Sequence, residues 1–269
     1  APLIIGVAIQ VIEMHKRLII NADDFGLCPA QSYGIVEAFE HGVVSSTTAM
    51  VNSPAIEHAA WLAKRFPDLP IGLHFVLSWG KPLSPLSCLV NAQGELDKSI
   101  WQKNEQGLLV AREIMEELRQ QFDRFVTLFG RLPSHIDSHH HVHMLPSLYP
   151  LVEAFARQQG IAMRIDREEV RRHGLTVNHE LSCQRFDSRF YGESLTRDLL
   201  LQLLDDANEQ GVNSLEIMCH PAFIDLEVQR SAYHQPRLTE LAILTDPALP
   251  ELIAARGYCL TSYQGWQPS

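Results

Sequence analysis

This 269-residue chain has no paired cysteine motif, no surplus of positive charge and no apolar run long enough to cross a bilayer. Each absence removes a class of protein. Its five cysteines (Cys28, Cys88, Cys183, Cys219 and Cys259) are scattered, odd in number and without a C-x-x-C pair, so free thiols in a reducing cytoplasm are expected rather than a disulfide framework. Lys and Arg number 22 against 32 Asp and Glu, a formal charge of −10, which argues against a nucleic-acid or anionic-membrane surface. The opening A-P-L-I-I-G-V-A-I-Q-V-I-E is largely apolar. It is too short to span a membrane and lacks the basic start and cleavage site of a signal peptide. The expectation is a natural start at Met14, with residues 1–13 as an upstream extension and residues 14–269 as one domain. No repeat, low-complexity tract or linker divides the chain. No G-x-G-x-x-G or P-loop follows the first apolar run, which weakens a nucleotide-binding reading.

What is present is alternation. R-L-I-I-N (17–21) has the pattern of a buried strand, and Pro29 to His41 has helical spacing. S-T-T-A-M-V-N (46–52) predicts a strand, and Pro54 opens a helix to about Arg65. I-G-L-H-F-V-L (71–77) is the next strand. Residues 78–107, with Pro82, Pro85 and Gly94, form an irregular stretch of the kind that serves as a lid or binding insertion. An amphipathic helix is expected over 110–129, a strand at 134–137, a helix over 146–159 closed by Gly160, and a strand at 161–165. After a poorly periodic section come a helix near 194–210, a strand at 214–219, two short helices and a last strand at 258–262. Strand and helix in turn imply parallel strands with helical crossovers. The number of units predicts a single-domain α/β fold, a distorted TIM-like (β/α) barrel.

In such a barrel, catalytic groups gather at the C-terminal ends of the strands, and there the polar outliers fall. Asp23 and Asp24 follow R-L-I-I-N, His74 lies in I-G-L-H-F, and Asp137 to His143, within H-I-D-S-H-H-H-V-H-M (135–144), follow the fourth strand. Arg164 sits in A-M-R-I and His220 ends S-L-E-I-M-C. Each has an ordinary reading: a turn for the aspartates, a hydrogen-bonded core position for His74, a solvated loop for the histidine run, a strand end for His220. Delivered together to one rim, they read as a built site. Carboxylate plus imidazoles without cysteine is a ligand set for zinc or another divalent ion, whose bound water loses its proton near neutral pH. Two adjacent aspartates suit a division of labour, one on the metal and one as base, their directions separated by the alternation of extended backbone. His139 and His143 share a face if their segment begins a helix; His139 and His141 share one if it stays extended. Both remain open on spacing alone.

A-D-D-F-G, G-L-H-F-V-L, the histidine run and E-I-M-C-H-P-A-F resemble, in order, the signatures of the YdjC-like carbohydrate deacetylases, nearest to their chitooligosaccharide-deacetylase branch. The resemblance runs from about Lys16 to Tyr263. It implies one divalent metal, Mg2+ or Zn2+, and removal of the N-acetyl group from a glucosamine unit of a short chitin oligomer, free or phosphorylated. It implies a base at Asp23, metal ligands at Asp24, His74 and His139, and an acid at His220, base and acid lying on opposite sides. His141 and His143 stand as alternatives to His139. Arg164 would orient Asp23 and keep it ionised, and Trp79 with Trp101 would offer aromatic platforms to a pyranose. The family also implies a homodimer, and the unpaired cysteines a cytoplasmic location. Two other readings stay in play: a metal-dependent phosphoesterase or amidohydrolase on the same barrel, and a metal- or sugar-binding protein without turnover.

Overall fold

The computed structural model describes residues 15–268, so the extension expected at residues 1–13 lies outside the described residues. The central strand β1 (Lys16–Phe25) is buried over its last eight positions, the mark of a parallel strand covered on both faces. The other strands are β2 (Ser46–Ala49), β3 (Ile71–Phe75), β4 (His135–Ser138), β5 (Ala162–Met163), β6 (Arg185–Asp187), β7 (Ser214–Cys219) and β8 (Tyr258–Leu260). Between them run α1 (Pro29–Glu40), α2 (Ile56–Ala63), α3 (Ile100–Glu105), α4 (Ala111–Phe129), α5 (Tyr149–Gln159), α6 (Arg167–Arg172), α7 (Arg197–Glu209), α8 (Leu226–Gln229), α9 (Gln235–Leu244) and α10 (Leu249–Ala254). All strand pairs are parallel, in the order β5-β4-β3-β2-β1-β7-β6, with β8 on the first residues of β1.

The sheet is strongly curled. Arg164, directly after β5, hydrogen-bonds Asp23 of β1 and Glu216 of β7. In a flat sheet, with strands about 4.8 Å apart, those strands would lie about 19 and 24 Å away. The ring expected of a TIM-like barrel is nonetheless not completed by strand pairing: among the described residues β5 and β6 do not pair, and the parallel sheet is a half-barrel. Here β5 is two residues long and β6 three. The free edge of β5 is covered instead by the chain before β6: Met163 N–H donates to Leu181 O, and the His179 ring bonds Ile161 O. A covered edge does not need a closing strand. The same region hid α6 and β6 from sequence reading, because R-F-D carries no apolar run and pairs only with β7.

Two packing features hold the rim in place. On α4, Ile114, Leu118, Phe122 and Phe125 face the core. Beside them the buried Glu117 carboxylate accepts from Leu83 N, Ser84 N and the Ser84 hydroxyl, while Gln121 bonds both backbone groups of Val76. Segment 78–107 is therefore docked at its start. On the opposite side α1 presses on the turn after His220. A Cβ added at Gly34 would lie 2.4 Å from Ala222 Cα and 2.9 Å from Ala222 N and C. Gly34→Ala is expected to destabilise the protein by about 2 kcal/mol or more in chemical unfolding and to disturb the His220 turn; unchanged stability would show that the turn can recoil.

Candidate metal and catalytic site

Asp23 and Asp24 occupy the end of β1, and their side chains part for a reason the sequence did not indicate. Asp24 leaves the extended region (φ 72°), and the β1–β2 register shifts between Ala22 and Phe25. A bulge, rather than plain alternation, aims the two carboxylates differently. Left-handed backbone at a non-glycine residue is strained and needs outside support. Arg237 of α9 supplies it, donating through Nη1 to Asp24 Oδ2 (2.9 Å) and also to Gln31 Oε1.

The other oxygen, Asp24 Oδ1, lies 3.2 Å from His74 Nε2 and 3.0 Å from His139 Nδ1, and the two nitrogens are 3.3 Å apart. His74 turns its Nδ1 to Asp137 Oδ1 at 2.7 Å. With a proton held on that nitrogen by Asp137, Nε2 would present a lone pair once a cation displaces its own proton. Asp24 Oδ1 is itself buried without a hydrogen-bond donor. Three electron-rich atoms facing one point are stabilised by a cation. Burial disfavours charge at each group. For His74, the Asp137 carboxylate overrides burial and pushes the pKa up to about 10; for Asp24, His139 and Arg237 override it and hold the carboxyl well below its usual range.

Asp23 points to the other side. Arg164 donates to it through both terminal nitrogens, 2.9 Å to Oδ2 and 2.7 Å to Oδ1, and Asn21 Nδ2 adds a bond of 2.8 Å to Oδ1. Burial would raise its pKa, but the guanidinium prevails and lowers it. His220 Nε2 sits 3.8 Å from Asp23 Oδ2. The expected base and acid are thus neighbours, not partners across the site, because β1 and β7 are adjacent with Ala22 opposite Cys219. Burial lowers the His220 pKa to about 4, and its Nδ1 has no hydrogen-bond partner.

The histidine run follows neither spacing considered for it. His140 and His141 both have φ 57°, two left-handed residues in succession, so the segment is not a regular helix or strand. The turn brings only His139 to Asp24 and His74. His143 points away, bonding the Ser138 hydroxyl and Arg164 O. His141 lies at the cleft wall beside Phe186. Trp79 lines the same cleft, of about 630 Å³, as Asp23, Asp24, His74, His139 and His220; Trp101 lines a neighbouring cavity.

The family model described as YdjC-like protein matches residues 17–255. The chain belongs to this family. Proteins of Yersinia pestis (strain Pestoides F) and Yersinia pseudotuberculosis serotype O:1b, each named chitooligosaccharide deacetylase, are 58% identical over 250 residues, covering 93% of this chain and 99% of theirs. A crystal structure from Enterococcus faecalis V583, provisionally described as a cellobiose-phosphate cleavage protein, superposes with a TM-score of 0.83 at 34% identity over 93% of this chain and 98% of its own. A CE4 esterase of Streptococcus mutans shares the fold alone, with a TM-score of 0.51 at 12% identity over 92% of this chain and 85% of its own.

In this YdjC-like chain several supporting residues had no role assigned from the sequence. Asp137 bonds His74 Nδ1 with one oxygen and approaches Arg164 with the other at 3.1 Å, joining the two halves of the site. Glu216 takes Arg164 Nε and the Tyr263 hydroxyl. Glu240 accepts from His220 N–H (2.7 Å) and the Tyr233 hydroxyl (2.6 Å). Asp137 and Glu216 had a visible signal, as charges inside apolar strands. Arg237 and Glu240 lie on an ordinary helix and had none. The five cysteines form no disulfide, and no helix among the described residues is long and apolar enough to cross a membrane.

Neutral buried histidines also tie stability to pH. Burial lowers the His135 pKa to about 4, and His143 and His220 shift likewise. A histidine whose folded pKa is depressed contributes stability above its ordinary value near 6.5, lost as pH falls toward the folded value, since the unfolded chain binds the proton first. Thermal midpoints are expected to fall steeply between pH 6.5 and 4. His135→Gln should reduce proton uptake on unfolding by about one; an unchanged pH slope would mean that His135 does not contribute.

Proposed function

We propose that this chain is a metal-dependent carbohydrate N-deacetylase that hydrolyses the acetamide of a glucosamine unit in short chitooligosaccharides. The observation that carries the reading is the convergence of Asp24 Oδ1, His74 Nε2 and His139 Nδ1 in an open cleft beside the Asp23–His220 pair. The names of the relatives that are 58% identical support the substrate class. One carboxylate oxygen and two imidazole nitrogens suit Zn2+ or a similar ion better than Mg2+, which prefers oxygen. The bound cation would polarise the acetamide carbonyl and share the charge that develops on its oxygen.

The remaining work falls to the chain's own groups. Asp23, held ionised by Arg164, takes a proton from the attacking water. His220 is neutral at rest, so the proton it delivers must come from the reaction itself, and Asp23 Oδ2 at 3.8 Å is the nearest carboxylate source. His220 then passes that proton to the departing nitrogen, which leaves as an amine rather than an amide anion. Water's oxygen ends in acetate; one of its hydrogens ends on the sugar's nitrogen and the other leaves as the proton that acetic acid gives up.

A phosphoesterase with two metals is less well supported. The only other clustered donors among the described residues are those of Asp23, His74 and Asp137, and Arg164 already bonds both of those carboxylates. Simple binding would need no proton donor and acceptor at the donor trio. Release of acetate from chitobiose by the metal-loaded protein, abolished by a chelator and restored by Zn2+, is the expected result. No release with any divalent ion would sink the reading.

A further inference from the structure

A second cavity of about 490 Å³ adjoins the catalytic cleft across the His140–His141 turn, and both compartments are lined by His140, His141 and Ser188. We propose that this cavity holds a second, neutral pyranose ring of the oligosaccharide, next to the ring whose acetamide is cleaved. The proposal rests on the deacetylase reading above and adds to it the place of the neighbouring sugar.

Size and lining both fit. The volume lies within the range of small-ligand pockets, about 300 to 1,000 Å³. Trp101 of α3 and Phe186 of β6 supply aromatic faces, while Asn104 and Glu105 add polar groups. A pyranose has an apolar C–H face and a polar edge, so it needs both kinds of contact. Charge narrows the choice further. Glu105, Asp166 and Glu169 line the cavity, His173 of the same lining already faces Glu169, and the guanidinium of Arg164 is already held by Asp23, Asp137 and Glu216. A ring bearing phosphate would be repelled there; an uncharged ring would not.

The strained turn links the two compartments mechanically. It delivers His139 to Asp24 and His74, and one residue later the His140 ring lies 6.0 Å from Trp101 while its Nδ1 bonds the Ser78 hydroxyl at 2.8 Å. His141 then stands between the compartments, lining both, and its buried Nδ1 has no protein partner. Two consecutive left-handed histidines are a conformation that needs outside support, and here they set the distance from the donor trio to the Trp101 wall.

The test separates one ring from two. Trp101→Ala should raise KM for chitobiose and chitotriose about tenfold, a stacking contact's worth, with kcat within about twofold and metal content unchanged. Kinetics on the monosaccharide N-acetylglucosamine should not move, and Trp101→Phe should restore most of the oligomer KM. Trp79→Ala, on the catalytic side, should affect monosaccharide and oligomers alike. If Trp101→Ala unfolds α3, Phe186→Leu removes a second wall and must give the same split. Unchanged oligomer KM, or an equal rise for the monosaccharide, overturns the proposal. Calorimetry of chitotriose binding to Asp23→Asn, with and without Trp101→Ala, reads the cavity independently of turnover. Weaker binding in the double variant supports it and equal binding overturns it, even if no acetate release is found and the deacetylase reading itself fails.

Discussion

Asp23→Asn is expected to lower turnover by about 10³-fold or more while the protein keeps about one metal ion per chain. The substitution preserves size and removes one charge. The donor trio of Asp24, His74 and His139 does not include Asp23, so ion binding should survive. Two consequences should accompany the loss. Arg164 keeps Asp137 and Glu216 as hydrogen-bonding partners, so the fold should hold. His220, deprived of the carboxylate 3.8 Å from Nε2, should no longer gain its proton efficiently. Turnover on chitobiose and metal analysis of the same sample decide the matter. Loss of the ion with Asp23→Asn would mean that the two aspartates exchange roles; retention of both ion and activity would remove Asp23 from the chemistry.

The second large effect concerns the cation. His74→Ala and His139→Ala should each weaken metal binding by more than about a hundredfold, since even groups behind the ligands are worth about 10- to 100-fold. His143→Ala should leave the stoichiometry unchanged, because its ring bonds Ser138 and Arg164 O away from Asp24. Asp137→Asn tests the support behind His74. It keeps an oxygen able to accept from Nδ1 but loses the charge that fixes the tautomer, so affinity should fall by about tenfold to a hundredfold. Metal retention by His139→Ala together with loss by His143→Ala would reverse the assignment.

Some of this was readable without coordinates. Periodicity located most strands and the longer helices, because burial on both faces leaves a continuous apolar mark such as L-I-I and a one-sided helix leaves the spacing of Ile114, Leu118, Phe122 and Phe125. The rim residues Asp23, Asp24, His74, His220 and the histidine run stood out as polar groups at the ends of apolar segments, a local contrast. The β6 strand and α6 left no such mark, being short and only partly covered.

The amino-acid order alone thus determined the alternating α/β architecture and the set of chemically able side chains. Which of them meet was decided only in three dimensions. A histidine's direction depends on the backbone at its own residue and on what packs around it, and neither the left-handed pair at His140 and His141 nor the bulge at Asp24 follows from local preference. Those conformations are supported by partners remote in the chain, Arg237 for Asp24 and Ser78 for His140. Likewise the sheet's curl, which brings Arg164 to Asp23 and Glu216, comes from strands separated by long stretches of sequence. Contacts of that kind become visible only when the chain has folded.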